Sequence, residues 1–169
     1  RLLMKVSVVT ANYNGQYILN RYFEHLILNA ENIGEIIFVD NGSTDNSLNV
    51  VDSFKDRLPI RIIRNDTNLG FAIANNQAIN LVQFPYVLCL NTDAFTESGA
   101  IEALISKAQS SEYIFSVTGK MLQDKHPKLI DNVGNYYTLL AHTKKLGFGK
   151  SCTKYNKEVK TFSACEGTA

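Results

Sequence analysis

The chain is poor in the residues that mark many functional classes. Among 169 residues there is no tryptophan, and there are only three prolines and three cysteines. Cys89, Cys152 and Cys165 are odd in number and form no C-x-x-C pair, which suits a reducing compartment better than a disulfide framework or a zinc knuckle. Cys89 lies in the apolar run Tyr86-Val87-Leu88-Cys89-Leu90 and reads as a core residue. His25, His126 and His142 are too scattered in sequence to suggest a metal site. No run approaches the ~20 apolar residues of a membrane span. Lys5 interrupts the opening Arg1-Leu2-Leu3-Met4, so a signal-peptide core is lacking. The expectation is a cytoplasmic protein. Net charge is only +1, leaving no overall field that would draw nucleic acid, and no nucleic-acid partner is expected. Three nucleotide and hydrolase signatures are missing as well: G-x-G-x-x-G after the first apolar run, G-x-x-x-x-G-K-[ST], and G-x-S-x-G.

What is present is a globular composition, 45% hydrophobic and 20% charged, with an uneven charge. Residues 1–100 carry ten acidic and seven basic side chains, and residues 101–169 carry six and ten. Six of those ten lysines lie between Lys144 and Lys160. The cluster reads as a solvated loop, with peripheral contact to an anionic membrane, at its inner face, as the alternative.

Short branched runs alternate with helical periods. The runs are Val6 to Val9, Ile36 to Val39, Ile60 to Ile63, Tyr86 to Leu90 and Ile114 to Val117, each read as a strand buried on both faces. Between them, Leu19, Tyr22, Phe23, Leu26 and Ala30 mark one helical face, and Val50, Val51, Phe54 and Leu58 a second. Phe71, Ala74, Ala78 and Val82 mark a third, and Ile101, Leu104, Ile105 and Ala108 a fourth. Ser43 or Thr44 is placed to cap the second helix, and Thr96 the fourth. This alternation predicts an α/β fold: a mainly parallel, Rossmann-like sheet with helices on both faces. Residues 131–165 lack a helical period and predict irregular β-structure at the C-terminal end.

In open α/β sheets, ligands bind beyond the carboxyl ends of the strands. Four polar clusters fall there: Thr10-Ala11-Asn12-Tyr13-Asn14-Gly15, Asp40-Asn41-Gly42-Ser43-Thr44-Asp45, Arg64 to Phe71, and Asn91-Thr92-Asp93. Singly, each is ordinary turn chemistry. Together they offer carboxylates, amides and hydroxyls on one edge, hard oxygen ligands suited to Mg²⁺ or Mn²⁺ holding a diphosphate.

These segments resemble successive signatures of family 2 glycosyltransferases with the GT-A fold. The resemblance rests on Val6 to Gly15, Ile36 to Asp45, Asn68-Leu69-Gly70-Phe71-Ala72, and Tyr86 to Asp93, the last like that family's metal-motif strand. The stretch from Ile130 to Thr168 is similar more weakly, and the rhamnosyltransferase-like subset resembles this chain most. The resemblance implies an inverting, metal-dependent transfer of sugar from a nucleoside-diphosphate donor to a glycan or lipid-linked acceptor hydroxyl in polysaccharide or glycoconjugate synthesis. It places Thr10, Ala11, Asn12 and Tyr13 at the nucleoside pocket, with Asp40 and Asn41 beside the base or ribose. Asn68 would lie near the diphosphate, Asn91 and Thr92 beside the donor, and Asp93 on a divalent cation (Mg²⁺ or Mn²⁺). Asn91 departs from the aspartate many relatives carry. Residues 1–125 would form the donor-binding half and 126–169 the start of the acceptor side. The general base is expected beyond Ala169, since Glu166 does not match its position. A sugar-1-phosphate nucleotidyltransferase and a non-catalytic nucleotide-sugar-binding module are the alternatives.

Overall fold

The computed structural model describes residues 4–137 and 142–154. They fall into two compact units, one up to Ile105 and one from Ser106 onward.

The first unit holds four parallel strands: β1 (Val6–Asn12), β2 (Ile33–Asn41), β3 (Ile60–Asn65) and β4 (Tyr86–Cys89). Their spatial order is β3-β2-β1-β4, so the chain steps outward from β1 to β3 and then returns to the other side of β1. Right-handed crossovers require such a reversal to change faces. Accordingly α1 (Gln16–Ile27), α2 (Ser47–Asp52) and α4 (Ala100–Ala108) send side chains into one core and α3 (Phe71–Ile79) into another.

The two-residue strand period sorts the side chains between these faces. Val6, Val8, Ile36 and Phe38 pack with Leu19, Tyr22, Phe23, Leu26, Val51, Phe54, Leu58, Ile101 and Ile105. Val9, Ile37 and Val39 pack with Ala74 and Ala78. Phe23 is the hub of the larger core, stacked on Phe54 at 5.0 Å and edge-on to Tyr22 at 5.2 Å. Each such pair adds about 0.5–1.5 kcal/mol beyond area burial.

Several expectations need correction. β1 and β2 are buried on both faces, but β3 and β4 are edge strands with alternating exposure. Cys89 is consequently half-buried, and that burial pushes its thiol pKa up. Ile114 to Val117 form no strand: no other strand pairs with the run among the described residues, Ile114 N–H bonds back to the Ser111 carbonyl, and Phe115 is fully exposed. Its apolar residues lack the partner strand that extended backbone requires. Phe71 opens α3 on its exposed side, 52% accessible. The sheet is covered there by Ala74 and Ala78, whose small side chains let the helix lie close.

The second unit carries two small antiparallel sheets, β5 (Met121–Gln123) with β6 (His126–Asn132) and β7 (Asn135–Tyr137) with β8 (Thr143–Lys145). Antiparallel structure thus begins before residue 131. Residues 155–165 of the expected β-region, with Phe162 to Cys165, and Glu166 lie outside the described residues.

Candidate functional site

All ten residues singled out from the sequence lie at or beyond the carboxyl ends of β1, β2, β3 and β4. The order reverses at β1, which makes the end of β1, between β2 and β4, the switch point where such sheets leave a crevice.

Asn12 and Asp40 are register partners at this point and face the α1 side of the sheet, like Val8 and Phe38 before them. Each is 3% exposed. The Asn12 amide donates to Ser43 Oγ at 3.2 Å and more weakly to Asp40 Oδ1 at 3.5 Å. Its Oδ1 is buried with no hydrogen-bond partner. An unpaired buried acceptor costs about 1–3 kcal/mol, so this atom is poised to take a donor from outside. Gly15 leaves the space: a Cβ there would stand 2.2 Å from Asn12 Oδ1 and 3.9 Å from Thr92 Oγ1. The loop after β1 therefore meets the segment after β4 where the free acceptor sits.

The loops after β1 and β2 are tied reciprocally. Asn14, in the left-handed region at φ 52, donates its N–H to Ser43 Oγ and accepts from Thr44 N–H. Gln16 N–H donates to Asp45 Oδ2, and the Gln16 side chain accepts from Asn46 N–H. Asp45 Oδ1 accepts from Ser47 N–H and Oγ–H. One carboxylate therefore serves the first turns of both α1 and α2. Ser43 and Thr44 are not the cap of α2, as the sequence suggested, because both are committed to Asn14. Burial opposes ionisation of Asp45, yet the hydrogen bonds from Ser47 and Gln16 outweigh it and hold its pKa below the ordinary value.

Thr10 and Asn41 are used internally. Thr10 is fully buried; its hydroxyl is hydrogen-bonded with the Tyr22 hydroxyl and donates to the Leu90 carbonyl. Burial pushes the Tyr22 phenol pKa up despite that bond. Asn41 points to the α3 side. Its amide donates to Asn68 Oδ1 at 2.8 Å, and its oxygen accepts from Asn65 and from Leu69 N–H. Asn65 in turn exchanges two bonds with Gln77 of α3. Gly42, at φ 80, lets the backbone of Thr67 and Asn68 come against β2; a Cβ there would lie 2.7 Å from the Thr67 carbonyl carbon. Asn68 is exposed beside the start of α3, whose N-cap Gly70 gives no side-chain cap.

Ala11 is half-buried, and Tyr13 is 53% exposed. Asn91 and Thr92 are half-buried in a turn closed by Ala94 N–H to the Asn91 carbonyl. Asp93 is exposed and makes no hydrogen bond or ion pair among the described residues. Among the described residues, no group of three or more His, Cys, Asp or Glu gathers to hold a metal ion. Gly15 and Asp45 were not singled out as site residues. Their sequence signals, a glycine before a helix and an acid two residues before one, are common turn features that acquire meaning only when the two loops meet.

This arrangement is that of a parallel sheet with a polar, partly unsatisfied cluster at its switch point. The profile of glycosyl transferase family 2 matches residues 7–163, and the chain belongs to that family. Glycosyltransferase GlyG of Streptococcus pneumoniae serotype 4 is 31% identical over 109 residues, 63% of this chain and 36% of that protein. A poly-beta-1,6-N-acetyl-D-glucosamine synthase of Staphylococcus epidermidis is 29% identical over 85 residues, 50% of this chain and 21% of that one. Among solved structures, S. aureus TarS 1-349 in complex with UDP-GlcNAc aligns with TM-score 0.56 at 21% identity, over 72% of this chain and 39% of that one. This likeness supports the GT-A-type fold. The chain spans little more than a third of GlyG. Family membership sets the nucleotidyltransferase reading aside. No helix among the described residues is long and apolar enough to cross a membrane.

Proposed function

We propose that this chain supplies the donor-binding half, residues 1–125, of an inverting glycosyltransferase that moves sugar from a nucleoside-diphosphate donor to an acceptor hydroxyl. The observation that carries this reading is the buried Asp40 carboxylate beside the unpartnered Asn12 Oδ1 at the sheet's switch point. A nucleoside offers N–H and O–H donors that match both acceptors. Tyr13, half-exposed on the same loop, supplies an aromatic surface for the base. Asn41 and Thr10 act by holding their loops, while Asn68 and the uncapped start of α3 favour the anionic diphosphate.

Asp93 supplies one solvated carboxylate, with amide and hydroxyl oxygens on Asn91 and Thr92 beside it. That set is too small to hold a divalent cation alone. It fits one that brings its other ligands with the donor diphosphate. When bound, such a cation stabilises the charge of the leaving nucleoside diphosphate. Residues 126–169 belong, on this reading, to the acceptor side, where the lysines from Lys144 onward suit an anionic acceptor or membrane surface.

The test is calorimetry of UDP, GDP and dTDP, and of UDP-GlcNAc, GDP-mannose and dTDP-rhamnose, each with Mn²⁺ and with EDTA. One nucleotide should bind at micromolar to millimolar Kd, more tightly with Mn²⁺. Failure of all six at millimolar concentration would sink the reading.

A further inference from the structure

Three polar residues of the α1 segment, spaced four apart, are not accounted for by the donor pocket: Arg21, His25 and Asn29. They lie on successive turns of one helical stripe, the last just past the end of α1. All three meet the segment that follows Asp93. The Arg21 guanidinium stands 3.8 Å from the centre of the Phe95 ring. The His25 ring lies 5.2 Å from the same ring, and its Nδ1 is 3.2 Å from the Thr96 carbonyl oxygen. Asn29 is 1% exposed and donates to Thr96 Oγ1 at 3.3 Å and to the Glu97 carbonyl at 3.0 Å. Thr96, itself buried, donates its hydroxyl back to the His25 carbonyl.

Capping of α4 does not explain the stripe. Only one of these bonds reaches that helix, Ile101 N–H to Asn29 Oδ1, and it is long at 3.4 Å. The others grip residues 95–97, in the connection between β4 and α4. Upstream, the same connection is anchored where Leu90 N–H pairs with the Val9 carbonyl. Asp93 lies between the two anchors with no partner of its own among the described residues, so its backbone on either side determines where its carboxylate stands.

We propose that Arg21, His25 and Asn29 are positioning residues: a clasp on α1 that fixes the Asn91–Glu97 connection and thereby aims Asp93 at the donor's cation. The functional part of this proposal rests on the donor-site reading above. The clasp puts the place of Asp93 under the control of the far end of α1. Misplacement of a reacting group by even 1 Å is costly in such sites.

The test uses the full chain and two variants, Asn29→Ala and the exposed Arg21→Ala, which spares the core. Two quantities are read. Amide hydrogen exchange at residues 93–97 should quicken about tenfold or more in Asn29→Ala and by less in Arg21→Ala, with the exchange of β1 and β2 unchanged. Affinity in EDTA for whichever of UDP, GDP and dTDP binds should stay within about twofold of the wild type, while the gain conferred by Mn²⁺ should fall about fivefold or more in Asn29→Ala. Unchanged exchange at 93–97 in both variants would overturn the clasp. Equal loss of that nucleotide's affinity with and without Mn²⁺ would reduce it to general stabilisation. A wild-type chain that binds none of the three nucleoside diphosphates would remove the donor-site reading, and one that binds with no Mn²⁺ gain would remove the clasp's meaning for the cation. The exchange result would still report whether the clasp holds the connection.

Discussion

Asp40 and Asn41 are adjacent in sequence and opposite in use. Strand alternation sends the acid toward Asn12 and the amide into a network with Asn65, Asn68 and Leu69. Asp40→Ala should weaken nucleotide binding by about 1–3 kcal/mol, the range for a hydrogen bond to a charged group, with little change in Tm. Equal calorimetric affinity for both proteins would make Asp40 a turn former. At Gly15 a methyl group would enter the space of Asn12 Oδ1, 2.2 Å away, so Gly15→Ala should shift the Asn12 amide and lower nucleotide affinity. A crystal structure with Asn12 unmoved would contradict this. Asp93→Asn keeps the shape of the side chain and removes its charge. It should abolish the Mn²⁺-dependent part of nucleotide affinity while sparing the part measured in EDTA, and a surviving Mn²⁺ effect in the calorimeter would show that the cation is held elsewhere. The polar character of these positions was legible in the sequence because strand ends announce themselves by where the branched runs stop. Their division of labour was not. Whether Thr10 or Asn41 faces a ligand or another loop depends on what the neighbouring strand brings opposite, here Leu90 and Asn65.

The helices were legible as faces and poorly legible at their ends. Leu19, Tyr22, Phe23 and Leu26 declare the buried side of α1 by spacing alone, and all four are fully buried. Thr96, by contrast, looked like a local cap of α4 and is instead bonded to His25 and Asn29, more than sixty positions away. Local capping rules see only near neighbours, and here the partners come from a different element. Asp45 is the strongest case, since it satisfies N–H groups at the start of two helices. Its replacement by alanine should cost about 1–2 kcal/mol, near the upper end for the loss of a cap. Its pKa is depressed in the folded chain, so its stabilising contribution is present above the unfolded value near 4 and is lost as pH falls through the folded value. Thermal melts from pH 6 down to pH 3 should show a shallower acid-side decline in Asp45→Ala than in the wild type. Parallel curves offset by a constant would refute that assignment.

In the first unit as a whole, the two ends of the sheet do different work. The amino-terminal end is closed and structural. Glu35, nearly buried, accepts from Ser7 Oγ–H and from Gln83 N–H, and Ser7 Oγ accepts from Phe84 N–H. Gly34 makes room for the Phe84 ring, whose nearest atoms would lie 2.3 Å from an added Cβ. Gly34→Ala should therefore lower stability by about 1–3 kcal/mol through overpacking, while nucleotide Kd measured well below Tm stays unchanged. A changed Kd would mean that the two ends are coupled through the strands. The parallel architecture was readable from the alternation of runs and periods, but the order β3-β2-β1-β4, and with it the place of the crevice, was not. Strand order is decided by which face each crossover covers, and no single segment carries that information.

The alternation of β2 has a consequence for how this chain tolerates change in length. A loop can gain or lose a residue and leave the strands in phase. One residue inserted between Ile33 and Val39 is another matter, because it turns every following side chain to the opposite face. Asp40 would then be delivered to the amide network, where its second oxygen would face two acceptors, Asn68 Oδ1 and the Gly70 carbonyl, and Asn41 would replace it beside Asn12, without a charge. The same slip would exchange Phe38 and Val39 between a core shaped by aromatic rings and one shaped by two alanines. Fold and crevice are thus written in a single reading frame, and a frame error in this strand would corrupt both at once.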